Sequence, residues 1–153
     1  VSLPAAQVPV GAGWLSLSPL PGRGGDLAGD VAALAAWGAD LVVSLTQAQE
    51  MDTGDLAGAL GLAGLGWRHL PVPDYGVPGP GEGLVLVDEL SARLASGGRI
   101  ALHCLGGCGR SGMLALRLMV RSGEAPDAAL IRLRAARPCA IETSGQMDWA
   151  RRG

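Results

Sequence analysis

Two periodicities alternate along the chain. Residues 13–18 (GWLSLS) carry apolar side chains at every second position, the mark of a strand. Residues 40–45 (DLVVSL) and 99–104 (RIALHC) are short and nearly all apolar, as expected of strands covered on both faces. Residues 67–72 (WRHLPV) read as one more strand. Helical stretches lie between them. Over 26–38, Asp26 is placed to cap, Leu27, Val31, Leu34 and Ala35 share a face, and Gly38 ends the run. Residues 52–66 form a weaker helix, diluted by glycine. Residues 82–98, 111–123, the run from Pro126 to Ala136 and 141–152 read as further helices, with Pro126 suited to a first helical turn. Residues 19–25 and 73–81, punctuated by Pro and Gly, are loops.

Such alternation predicts an α/β fold with a mostly parallel central sheet of four to five strands, flanked by helices on both faces. A chain of 153 residues has material for one core, so 1–153 is read as a single domain, with 1–12 an irregular N-terminal segment. In sheets of this kind ligands bind at the carboxyl ends of the strands.

Composition narrows the function classes. Charged residues make up 17% and the net charge is −2, with no basic stripe for nucleic acid or an anionic membrane. Every basic residue is Arg, because the chain has no Lys. The N-terminal stretch is uncharged but broken by four prolines, so neither a signal peptide nor a membrane span is expected. Three cysteines, in a chain large enough to fold without disulfides, point to a reducing, cytoplasmic location. The oligomeric state is not legible, and a monomer is the simplest expectation.

The chemistry concentrates in HCLGGCGRSG, residues 103–112, between an apolar strand and a helix. A zinc site needs paired ligands at set spacings; His103 and Cys104 are adjacent and no second pair exists. A nucleotide loop needs a Lys, which is missing. A dinucleotide fingerprint needs an acid about 20 residues on, and none stands there. No metal or cofactor is therefore expected. A thiol nucleophile that attacks phosphate accounts for every residue. Leu105, Gly106, Gly107, Cys108 and Gly109 present successive backbone N–H groups to an anion. The following helix aims its positive end at the same point. Arg110 grips two phosphate oxygens with its planar fork. The same positive field favours the thiolate form of Cys104. The leaving group of a phosphate ester must be protonated, and Asp74 in PVPDYGVPG is the carboxylate of a separate loop at the same sheet edge.

This decapeptide resembles the H-C-x5-R-[ST] signature of the protein tyrosine phosphatase superfamily. HLPVPDYGVP, HCLGGCGRSG and PCAIETSGQMDWA, with WGADLVVSLTQAQE as a weaker fourth stretch, are most similar to the kinase-associated (cyclin-dependent kinase inhibitor 3-like) dual-specificity phosphatases. The resemblance implies a compact phosphatase that hydrolyses phosphoprotein esters through a phosphocysteine. It places Asp74 as the general acid. It implies that Ser111 assists departure of the Cys104 sulfur and that Gln146 positions the hydrolytic water. His103 is expected to orient the loop, and His69 to be structural or to line the rim. A kinase partner does not carry over.

Tyr75, beside the acid, is placed to pack on a phosphotyrosine ring or to anchor its loop. The signature loop holds no basic residue ahead of Arg110, which argues against a highly anionic sugar substrate, although Arg23 and Arg68 are available outside it. The expected substrate is a phosphoprotein or a small phosphate ester. The alternatives are a phosphatase of non-protein esters and a phosphoprotein-binding module that has lost hydrolysis. Cys108 is either a small filler of the loop or a partner for oxidised Cys104, with Cys139 the weaker resolving candidate.

Overall fold

The computed structural model describes residues 3–153. Among these residues the strands are β1 (Ala6–Val10), β2 (Gly13–Ser18), β3 (Leu41–Ser44), β4 (Gly66–His69) and β5 (Arg99–His103). The helices are α1 (Leu27–Trp37), α2 (Leu56–Leu62), α3 (Glu82–Ala95), α4 (Gly109–Arg121), α5 (Pro126–Ala136) and α6 (Ser144–Arg151). A short 3-10 turn, Ala48–Glu50, follows β3.

The two nearly all-apolar strands lie at the middle of one sheet, ordered β1-β2-β5-β3-β4. β5 pairs in parallel with β2 and β3, and β4 pairs in parallel with β3. Period-two alternation divides the side chains between two cores. Ile100 and Leu102 join Leu41, Val43 and the apolar sides of α3 to α6. Ala101 and Val42 point the other way, against Val31, Leu34, Leu56 and Leu60 of α1 and α2.

One expectation about the fold is corrected. Residues 6–10, read as irregular, form edge strand β1, antiparallel to β2 through a tight turn at Gly11. Val8 and Val10 are buried in the larger core, so two apolar side chains at alternate positions suffice for an edge strand. Pro9 is tolerated there because an edge strand has one unpaired side. The predicted helices keep their identity: α1, α2, α3 and α6 are shorter than expected, α5 keeps its bounds and α4 shifts toward its N-terminus. α1 is capped by the Asp26 side chain, which accepts from Gly29 N, and stopped by Gly38 in a left-handed conformation. α4 begins at Gly109, earlier than its apolar periodicity shows, so Arg110 and Ser111 lie within its first turn.

Candidate active site

β5 ends at His103, and Cys104 follows at the carboxyl edge of the sheet, buried with 3% exposure. The chain then turns through Leu105–Cys108 into α4, whose N-cap is Cys108. Gly107 has φ +74°, and a Cβ there would lie 2.5 Å from the carbonyl carbon of Ser18, so only glycine fits. Arg137 fixes the sense of the turn. Its Nε and one terminal nitrogen donate to the carbonyls of Gly107 and Gly106, each at 2.9 Å.

Arg110 is 2% exposed. Its two terminal nitrogens each lie 2.8 Å from a carboxylate oxygen of Glu50, and one also donates to the Val72 carbonyl at 2.9 Å. Among the described residues its Nε has no partner. Burial opposes the Arg110 charge, but the Glu50 hydrogen bonds and neighbouring negative charges outweigh it and raise the guanidinium pKa. Reciprocally, the hydrogen bonds from Arg110 hold Glu50 below the usual carboxylate range against its own desolvation. Glu50 was not singled out from the sequence. The signal was available in principle, since a guanidinium buried behind a strand end requires a carboxylate.

His103 supports the loop from below. Its Nδ1 lies 3.1 Å from the Cys104 carbonyl, which can only accept, so Nδ1 carries the proton. Nε2 then accepts from the Ser44 hydroxyl, and the Ser44 oxygen accepts from Trp67 Nε1 at 2.8 Å. Burial, with help from the charges of His69 and Arg110, lowers the imidazole pKa to about 4, so the ring is neutral. The expected orienting role therefore has a definite tautomer. His69 stacks on Trp67 and bonds the Thr46 carbonyl, a structural position.

A cavity of about 190 Å³ is lined by Cys104, Leu105, Gly106, Cys108, Arg110, Arg23, Asp74, Tyr75 and Glu142. Ser111 Oγ, fully buried, lies 3.4 Å from Cys104 Sγ. Asp74 reaches in from the loop after β4. One carboxylate oxygen sits 3.5 Å from Arg110 and accepts from Tyr75 N at 3.0 Å. Tyr75 has φ +63° and is 62% exposed at the rim. That conformation closes a turn in which Gly76 N donates to the Pro73 carbonyl.

Two placements differ from what the sequence led us to expect. Gln146 is fully buried, and both ends of its amide are engaged. Oε1 accepts from Glu142 N at 2.9 Å, and Nε2 donates to the Gly76 carbonyl at 3.2 Å. It thus joins the acid-bearing turn to the start of α6, and Glu142 lines the cavity at that point instead. Glu142 lies in the stretch PCAIETSGQMDWA, where no motif marks it as a cavity residue. The second difference concerns sulfur. Cys108 is bonded to Cys139, not poised against Cys104, which remains a free thiol. The five-residue spread from Cys104 to Cys108 crosses the turn into α4, and Cys108 faces the segment after α5.

The arrangement is a thiol at the floor of an oxyanion cradle, a fixed guanidinium with a spare N–H, and a carboxylate on a separate loop. Comparisons with known proteins agree with it. Residues 19–124 match the family model described as Tc-R-P, polymorphic toxin system, DSP-PTPase phosphatase. The protein tyrosine phosphatase domain-containing protein 1 of Danio rerio is 39% identical over 83 residues, 54% of this chain and 11% of that protein. The cyclin-dependent kinase inhibitor 3 of Mus musculus is 34% identical over 88 residues, 56% of this chain and 42% of that one. The chain thus spans less than half the length of these curated relatives. In fold it is similar to the crystal structure of kinase-associated phosphatase carrying serine for its catalytic cysteine. The TM-score is 0.87 at 22% identity, over 98% of this chain and 93% of that one. With the family model covering more than two thirds of its residues, the chain belongs to the DSP-PTPase phosphatases of polymorphic toxin systems, a family of cysteine-based phosphatases.

Proposed function

We propose that the protein hydrolyses phosphate monoesters of phosphotyrosine, and of phosphoserine and phosphothreonine, through a phosphocysteine at Cys104. The observation that carries this reading is the unpartnered Nε of buried Arg110 beside Cys104, in a cavity that Asp74 also enters. A buried donor without an acceptor is costly unless a ligand completes it, and a phosphoryl oxygen is the acceptor the cradle suits.

In the first step the Cys104 thiolate attacks phosphorus. An S–P bond forms, the P–O ester bond breaks, and Asp74 delivers its proton to the leaving oxygen. In the second, water attacks the phosphocysteine, the S–P bond breaks, and the proton of the water passes to the Asp74 carboxylate. Ser111, within hydrogen-bond reach of the sulfur, stabilises the departing thiolate. Gln146, tied to the Gly76 carbonyl, serves as a positioning residue for the acid loop. Exposed Tyr75 at the rim gives a phosphorylated ring a face to lie on, which supports an aryl ester among the substrates.

Rapid acid quench of the protein mixed with p-nitrophenyl phosphate, followed by mass spectrometry, tests this. The expected result is one added phosphoryl group on the Cys104 peptide, no turnover by Cys104→Ser, and release of phosphate from phosphotyrosyl and phosphoseryl peptides by the parent. Turnover retained in Cys104→Ser overturns the reading.

A further inference from the structure

The disulfide between Cys108 and Cys139 lies in the wall of the active-site cavity, because Cys108 lines that cavity and Cys139 is exposed on the outer side. We propose that this disulfide is a reducible modification site that controls phosphate binding: the cradle is held in its binding form when the bond is made and relaxes when a dithiol reductant opens it. The activity part of the proposal rests on the phosphatase reading above; the phosphate-binding part does not.

The physical basis is the number of glycines in the cradle and where the restraints on them originate. Gly106, Gly107 and Gly109 have more backbone freedom to lose than any other residue type, so a loop that must aim its amides inward needs outside restraint. The segment after α5 provides it. Arg137 draws the carbonyls of Gly106 and Gly107 outward, which turns the next N–H groups toward the cavity. Ile141 N donates to the Cys108 carbonyl at 3.2 Å. Ile141 itself has φ +68°, an uncommon conformation for a β-branched residue, held by Arg134 donating to the carbonyls of Ala140 and Ile141. The covalent bond at Cys139 sits between Arg137 and Ile141. Opening it leaves the Ile141–Cys108 hydrogen bond as the remaining tie between Cys108 and the segment and weakens the anchor of Arg137, so the restraints on the glycines loosen together. A cradle ordered in advance binds its anion more tightly than one ordered on binding.

The chemistry is thiol–disulfide exchange. A thiolate of the dithiol attacks the sulfur of Cys139, an exposed residue, and the Cys108–Cys139 bond breaks. Cys108 leaves as a thiolate at the N-terminus of α4 and takes up a proton. The second thiol of the reductant then attacks the mixed disulfide, which frees Cys139 as a thiol and leaves the reductant as its own disulfide. Two electrons pass to the protein and the dithiol is oxidised.

The test compares the parent, as isolated and after dithiothreitol treatment, with a Cys108→Ser/Cys139→Ser double variant. Inorganic phosphate binding is read by calorimetry and p-nitrophenyl phosphate turnover by kcat/KM. The expected result is a loss of roughly tenfold in phosphate affinity and kcat/KM in the treated parent. The double variant should show the same loss in either buffer and no response to dithiothreitol. Equal phosphate affinity in the parent before and after verified reduction overturns the proposal, as does parent-like binding by the double variant. If the double variant does not fold, a redox titration of the parent replaces it. The fraction of alkylatable Cys139, read by mass spectrometry, is expected to fall in proportion as phosphate binding rises, and independence of the two overturns the proposal. An isolated parent that binds phosphate but turns over no ester would refute the phosphatase reading and leave the binding comparison intact.

Discussion

Glu50 and Arg110 meet as a two-pronged pair, with both carboxylate oxygens 2.8 Å from the two terminal nitrogens and the third guanidinium nitrogen left over. The pair joins the turn after β3 to the first turn of α4 and fixes the plane of the guanidinium. Because Arg110 is almost wholly buried, it would remain charged and without its main partner if Glu50 were removed.

Glu50→Ala is therefore expected to destabilise the fold by about 3 kcal/mol, the scale for stripping one partner from a buried ion pair. It should also lower kcat/KM. Glu50→Gln, which keeps one acceptor, should fall between. Urea midpoints and steady-state assays on the two variants check this; an unchanged midpoint for Glu50→Ala would show that the pair has no structural weight.

Stability is expected to fall as the pH drops from about 6.5 towards about 4, because the neutral form of His103 belongs to the fold. The unfolded chain takes up a proton near 6.5, whereas the folded chain resists until about 4. The contribution is fully present above the unfolded value and is lost as the pH falls through that window, about 3 kcal/mol in all. Glu50 and Glu89, both held below their ordinary range, add losses in the same direction at lower pH. Urea unfolding at pH 7.5, 6 and 5 measures the slope, and His103→Asn should flatten it. A slope unaltered by that substitution would assign the effect elsewhere.

Asp74→Asn should reduce kcat/KM for an alkyl phosphate by roughly 10²-fold, the usual scale for a lost general acid. The loss should be smaller for p-nitrophenyl phosphate, whose leaving group needs little protonation. Phosphate affinity should not weaken. Equal losses on the two esters would mean that Asp74 positions the substrate and does not protonate it.

Glu142 brings negative charge into a cavity built for an anion and, among the described residues, forms no ion pair. Glu142→Gln removes that repulsion. Competitive inhibition by inorganic phosphate is expected to tighten by about threefold at low ionic strength, with the gain shrinking in salt. No change in the inhibition constant at any ionic strength would place the carboxylate too far from the anion to matter.

Local pattern carried much of this protein. The order of strands and helices from β2 onward, the cap at Asp26, and a Cys, Arg and Ser set where a buried strand meets a helix were all legible, because period-two and helical spacings and the signature loop are properties of neighbouring residues; β1, with only two buried apolar positions, was not. The carboxylate of Asp74 was legible from its loop, though its distance to Arg110 was not. What tertiary structure alone decided are the partners. Glu50 lies 60 residues from Arg110, and Cys139 lies 31 from Cys108. Glu142 and Gln146 stand four apart in one stretch, yet only packing against Gly109 and the Gly76 carbonyl decides which faces the cavity. A spacing code describes how a segment folds on itself; which distant groups satisfy a buried charge or close a bond is settled only when the sheet brings its loops to one edge.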